Sequence, residues 1–193
     1  MPDVVVAAAQ EAECLAEFGA PQFRAQSLEG LGAQQLSSVA YASLGRELLR
    51  RYPTQLATAY APVGGEVLQL VPADGTLDAD LAYEAALEGV EPSLRQFLSS
   101  SGIQVLESKP YNFNEVCAAY TTINVMMRSV AQDPSLSPPL SGAYFDAMKG
   151  TVEISVPLDV PPVIDELVER FGEIVVVKRV PASADIGGEL DNG

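Results

Sequence analysis

Val152, Ile154 and Val156 alternate with Thr151, Glu153 and Ser155, the two-residue period of a strand with one buried and one wet face. Elsewhere the period lengthens to that of a helix. Phe113, Val116, Cys117, Tyr120, Ile123, Met127 and Val130 recur at three- and four-residue spacing, which predicts a helix from a cap at Asn112 or Asn114 to about Ala131. Leu36, Ala40, Leu44 and Leu48, flanked by Arg46, Glu47, Arg50 and Arg51, predict a second amphipathic helix that closes before Pro53. Val4–Phe18 is rich in alanine and glutamate and stops at Gly19 ahead of Pro21, a third helical pattern. Ser27–Gln35 reads as a loop. Asp78–Glu88 reads as a helix with Leu77, Leu81 and Ala85 on one face, broken by Gly89 and resumed at Pro92 with Leu94, Phe97 and Leu98.

Two hairpins are expected. Gln55–Ala61 and Glu66–Val71 flank the turn-forming run Pro62-Val63-Gly64-Gly65, and Ser141–Asp146 and Thr151–Val156 flank Ala147-Met148-Lys149-Gly150. Single strands follow at Ile103–Glu107, after Gly102, and at Ile174–Val177, ended by Lys178 and Arg179. Between them, Asp159 ahead of Pro161 and Pro162 starts a helix that runs to Phe171 and stops at Gly172. Asp133–Pro139 has linker composition, and the tail from Pro181 has that of a disordered segment.

These elements repeat. Tyr60–Val71 reads YAPVGGEVLQLV and Tyr144–Val156 reads YFDAMKGTVEISV, and each is followed by a helical stretch and a glycine-led strand. The repeat of about 40 residues implies a duplicated body. The expected fold is α+β: two hairpin-helix-strand units, each a small antiparallel sheet covered by helices, behind a helical N-terminal segment. The expected divisions are 1–54, helical; 55–132, the first unit plus the central helix; 140–181, the second unit; and 182–193, a flexible tail.

Composition narrows the chemistry. The 193 residues carry a net charge of −15, no histidine and 48% apolar residues, which describes a folded acidic protein. Its 11 basic residues are scattered, so neither nucleic acid nor an anionic membrane is an expected partner, and the charge favours a neutral or basic protein. No stretch approaches the roughly 20 apolar residues of a spanning helix. Without histidine there is no Ser-His-Asp or Cys-His catalyst and no histidine-based zinc site. Phosphate-loop, dinucleotide and calcium-loop motifs are missing from the sequence too. No catalytic residue, metal or cofactor is expected. Cys14 and Cys117 can pair in an oxidising compartment or stand as two buried thiols.

Tyr60 and Tyr144 are interface anchors or a repeated core position at a hairpin start. Ile174, Val175, Val176 and Val177, with Lys178, Arg179 and Val180, form the more suggestive element. The strand is either core or a sheet edge that recruits a partner strand.

SGAYFDAMKGTVEISV, the helix after it and GEIVVVKRV resemble the pro-regions of secreted bacterial chymotrypsin-like serine proteases, the streptogrisin and alpha-lytic protease group. Gly142, Tyr144, Asp146, Val152, Ile154 and Val156 fill the pattern, while Ala143 stands where that family usually has tryptophan. The resemblance spans roughly Leu56–Val180. It implies an excised or stand-alone module, secreted, that assists the folding of a protease, inhibits it, or both. It further implies that Gly172–Val180 docks by strand addition and that the tail from Pro181 enters or links. From a different class, a stand-alone acidic structural or adaptor protein, cytoplasmic or not, would use the duplicated fold to associate with itself or another protein.

Overall fold

The stripe Ala40, Leu44 and Leu48 lies fully buried along α1 (Ala33–Arg51) in a computed structural model of the chain, which describes residues 14, 28, 30–62, 67–73, 75–132, 142–156 and 162–180. The expected helix at Val4–Phe18 (Cys14 apart), the linker Asp133–Pro139 and the tail from Pro181 lie outside the described residues. After α1 come β1 (Leu56–Tyr60), β2 (Leu68–Pro72), α2 (Ala79–Leu87), the short α3 (Pro92–Arg95) and β3 (Ile103–Val105). Then follow α4 (Phe113–Gln132), β4 (Gly142–Asp146), β5 (Thr151–Val156), α5 (Pro162–Phe171) and β6 (Val175–Arg179). Helix, hairpin, helix, strand thus occurs twice. The fold is α+β, and each copy includes the long helix before its hairpin.

Each sheet is mixed, where the sequence predicted antiparallel ones. β1–β2 and β4–β5 are antiparallel hairpins, but β3 joins β2 in parallel and β6 joins β5 in parallel. The cause is the connection. A helix between the second and third strands carries the chain back to the starting end of the sheet, so the third strand must run with the second. Strand orders are β1-β2-β3 and β4-β5-β6.

Local chemistry places the helix starts. Asp78 Oδ1 accepts from Leu81 N at 3.0 Å and opens α2. Asn112 and Glu115 form a reciprocal box at α4, with Asn112 Oδ1 accepting from Glu115 N and Glu115 Oε2 accepting from Asn112 N. On α2 the buried positions are Ala82, Tyr83 and Ala86, and Leu81 is 67% exposed. The face expected from Leu77, Leu81 and Ala85 is therefore rotated onto Ala82, Tyr83 and Ala86, which join the core formed by Ala40, Leu44 and Leu48 of α1.

The helix α4 joins the two copies. Phe113 and Cys117 enter a core with Leu44, Leu48, Leu56, Leu68 and Leu70, while Val116, Ala119 and Ile123 enter a second core with Val152, Ile154, Val156, Ile164 and Leu167. Ala57 and Val71 of the first sheet also belong to the second core. Each fully buried Leu or Ile contributes roughly 1.5–3 kcal/mol relative to an exposed one. Thr58 Oγ1 donates to Ala147 O across the units at 2.9 Å, and a Cβ on Gly150 would stand 3.2 Å from Thr58 Cγ2. Gly150 also has φ +65°, so the second hairpin's turn needs glycine for dihedral and for space.

Cys14 and Cys117 are disulfide-bonded, with Cα atoms 5.7 Å apart and a sequence separation of 103. Closing so long a loop restricts the unfolded chain and is worth about 2–4 kcal/mol. The bond fastens residue 14 to the central helix inside the first core.

Candidate docking edge

β6 is held only by β5 among the described strands, so one of its sides is open. Val180 N donates to Val156 O at 2.9 Å. Backbone direction alternates along a strand, so Val176 and Lys178 turn their N–H and C=O toward β5 like Val180. Val177 and Arg179 turn theirs to the open side, while the N–H of Val175 donates back to Gly172 O and closes the 3-10 turn.

The side chains divide the same way. Val175, Val177 and Arg179 pair with Val152, Ile154 and Val156 on the helix-covered face, and Val176 and Lys178 pair with Glu153 and Ser155 on the opposite face. Val175 is buried, Val177 and Val180 half-buried, and Val176, Lys178 and Arg179 exposed. Ile174, expected in the strand, instead sits buried in the 3-10 turn Gly172–Ile174 that follows α5. Of the seven residues singled out from sequence, Ile174 and Val175 anchor the strand and the remainder meet solvent or the open edge. The choice between core and edge has a divided answer along one strand.

Beside the open edge runs a groove of about 510 Å³ lined by Ile164, Asp165, Val168, Glu169, Val177 and Arg179. Its apolar part comes from α5 and β6 together. Ile164 is fully buried, Val168 is 39% exposed, and Asp165 and Glu169 stand exposed on the helix.

The face predicted to be wet is closed at its middle. Glu153 is 2% exposed although it alternates with the core residues of β5. Tyr144 of β4 stands opposite it in register, and Lys178 of β6, two residues beyond its register partner Val176, reaches back diagonally over it. Lys178 Nζ ion-pairs with Glu153 Oε1, donates to Tyr144 Oη at 3.2 Å, and lies 5.8 Å from the Tyr144 ring centre. Burial pushes the Glu153 carboxyl up, but the Lys178 ammonium and the Tyr144 hydroxyl outweigh it and hold the carboxyl below its usual range. Lys178 is correspondingly raised, first by its bond to Glu153 and then by Tyr144. At the adjoining turn, Asp146 Oδ1 accepts from Met148 N and Lys149 N, and Lys149 Nζ stands 2.8 Å from Asp146 Oδ2. Burial raises Asp146, and Lys149 more than reverses it.

Of the two readings of Tyr144, the core position is not what the structure shows: the residue is 47% exposed and lies over Glu153. This three-strand cluster was missed in the sequence. The signal available was the acid at the centre of an apolar strand, with a tyrosine on the preceding strand and a lysine on the last.

No group of three or more histidine, cysteine, aspartate or glutamate side chains gathers among the described residues in a way that would hold a metal ion. No described helix is long and apolar enough to cross a membrane. Compared with the models of known protein families and with curated proteins, the chain matches none.

Proposed function

We propose that this chain is a non-catalytic protein-binding module of the protease pro-region kind, one that docks a secreted serine protease by adding β6 to a strand of its partner. The observation that carries the reading is the open side of β6, where the backbone groups of Val177 and Arg179 face away from β5 beside an apolar-floored groove. Strand addition asks only for backbone groups in register and pockets for alternate side chains, and this edge offers both. A template of this kind speeds folding when it binds the partner's folding transition state more tightly than its unfolded chain. The disulfide supports a life in an oxidising compartment.

The test is a titration of a purified streptogrisin-type protease with the full chain, read as residual activity, together with the refolding yield of the denatured protease. Slowed cleavage and a raised yield are expected. Val177→Pro is the informative variant. Its missing N–H is one of the outward donors, so the pairing with β5 survives while docking is lost. Neither inhibition nor assisted refolding across several such proteases would overturn the reading.

A further inference from the structure

The groove beside β6 also states what the docked strand must carry. Val177 and Arg179 turn their side chains to the helix-covered face, where they line the groove, and their backbone groups out along the open edge, so a strand paired with Val177 lays every second side chain toward Val168. Past that apolar floor the lining carries one cation, Arg179, and two carboxylates, which leaves it net negative; the carboxylates are Asp165 and Glu169, one helical turn apart on α5 and both exposed. Neither makes an ion pair with any described residue. A long basic side chain fits both parts, with its methylene stem on Val168 and Val177 and its charged head at the two carboxylates. The opposite face of the incoming strand meets Val176, and beside it Lys178, whose charge is already matched by Glu153.

We infer that the strand docked on β6 is an alternating apolar and basic one, with Arg or Lys at the groove-facing positions, and that it belongs to a separate protein. This rests on the strand-docking reading of β6. The chain's own segments do not meet the requirement. Residues 181–193 carry Asp185, Glu189 and Asp191 and no Lys or Arg, and a second copy brings another net −15. Charge complementarity at this edge sets partner choice and approach more than total affinity.

The experiment measures binding of three nine-residue probes to the full chain by isothermal titration or fluorescence anisotropy. One alternates valine with arginine, one alternates valine with glutamate, and one is the arginine probe with alternate backbone nitrogens methylated. The arginine probe should bind about tenfold more tightly than the glutamate probe, as expected for two partly exposed charge pairs. The methylated probe should not bind, and Asp165→Asn with Glu169→Gln should bring the first two probes level. Three results overturn the inference and are distinct. Equal binding of arginine and glutamate probes, with the methylated one silent, leaves strand docking intact and removes the basic preference. An arginine preference that survives in the double variant assigns it to the whole chain's charge rather than to the groove. Failure of all three probes removes the docking reading itself.

Discussion

The two copies of the helix-hairpin-helix-strand unit differ most where they are most alike. Both pair a tyrosine with the middle of the second strand: Tyr60 with Gln69 in the first sheet, Tyr144 with Glu153 in the second. In the first sheet the row continues to Gln104 and is neutral, with Gln69 Nε2 donating to Gln104 Oε1 at 3.3 Å. In the second the row holds the carboxylate of Glu153 and continues to Val176, and Lys178 reaches diagonally from two residues on to pair with that carboxylate. The third strands differ as well. β3 has three residues, too short to template a partner, and β6 has five, with a continuous helix beside it. Between β2 and β3 the crossover helix is broken at Gly89–Glu91 into α2 and α3, whereas α5 is unbroken and supplies one wall of the groove. One scaffold was kept in both copies. The chemistry of a docking edge appears in the second.

The sharpest way to break that comparison is a pair of substitutions one residue apart. Val175→Asp places an unpaired carboxylate in the second core and should cost at least about 3 kcal/mol, enough to unfold that unit in a thermal melt followed by near-UV circular dichroism. Val176→Asp puts the same charge on the 36% exposed face and should shift stability by under about 1 kcal/mol. It should still weaken partner binding. If the two variants melted alike, β6 would be core along its whole length and the contrast with β3 would vanish.

Acid should separate the copies next. Glu153 and Asp146 both have carboxyl values held below their usual range in the fold. Each therefore contributes stability that is fully present above its unfolded value and is lost as pH falls through the lowered folded value. The second copy should loosen before the first as pH drops below the ordinary carboxylate range, as read by amide chemical shifts at β5 and at β2. Glu153→Gln copies the neutral row of the first sheet and should flatten the response of β5. An equal response of both sheets would contradict the charged-row account.

Much of this fold was legible in the sequence, and the limits have physical causes. The stripe from Phe113 to Ile123 and the turn at Gly150 were readable because period and backbone demand are local. The strand Ile174–Val177 was found within a residue, but a 3-10 turn absorbed Ile174. Burial of Glu153 was not readable from alternation, since its covers come from two other strands, 9 and 25 positions away in sequence (Tyr144 and Lys178). The union of Cys14 and Cys117 was left open, because pairing across 103 residues depends on the packed helices and not on spacing. The acidic wall of the groove lay in plain sight as Asp165 and Glu169. What gave them meaning was the open edge beside them.

The most direct measurement of the central claim is residue-resolved amide hydrogen exchange along β6 in the free chain, repeated with a bound partner protease. Val176, Lys178 and Val180 should be protected in both states, while Val177 and Arg179 should exchange fast in the free chain and become protected on binding. Protection of Val177 and Arg179 already in the free chain would mean that the edge is occupied, and would contradict the account.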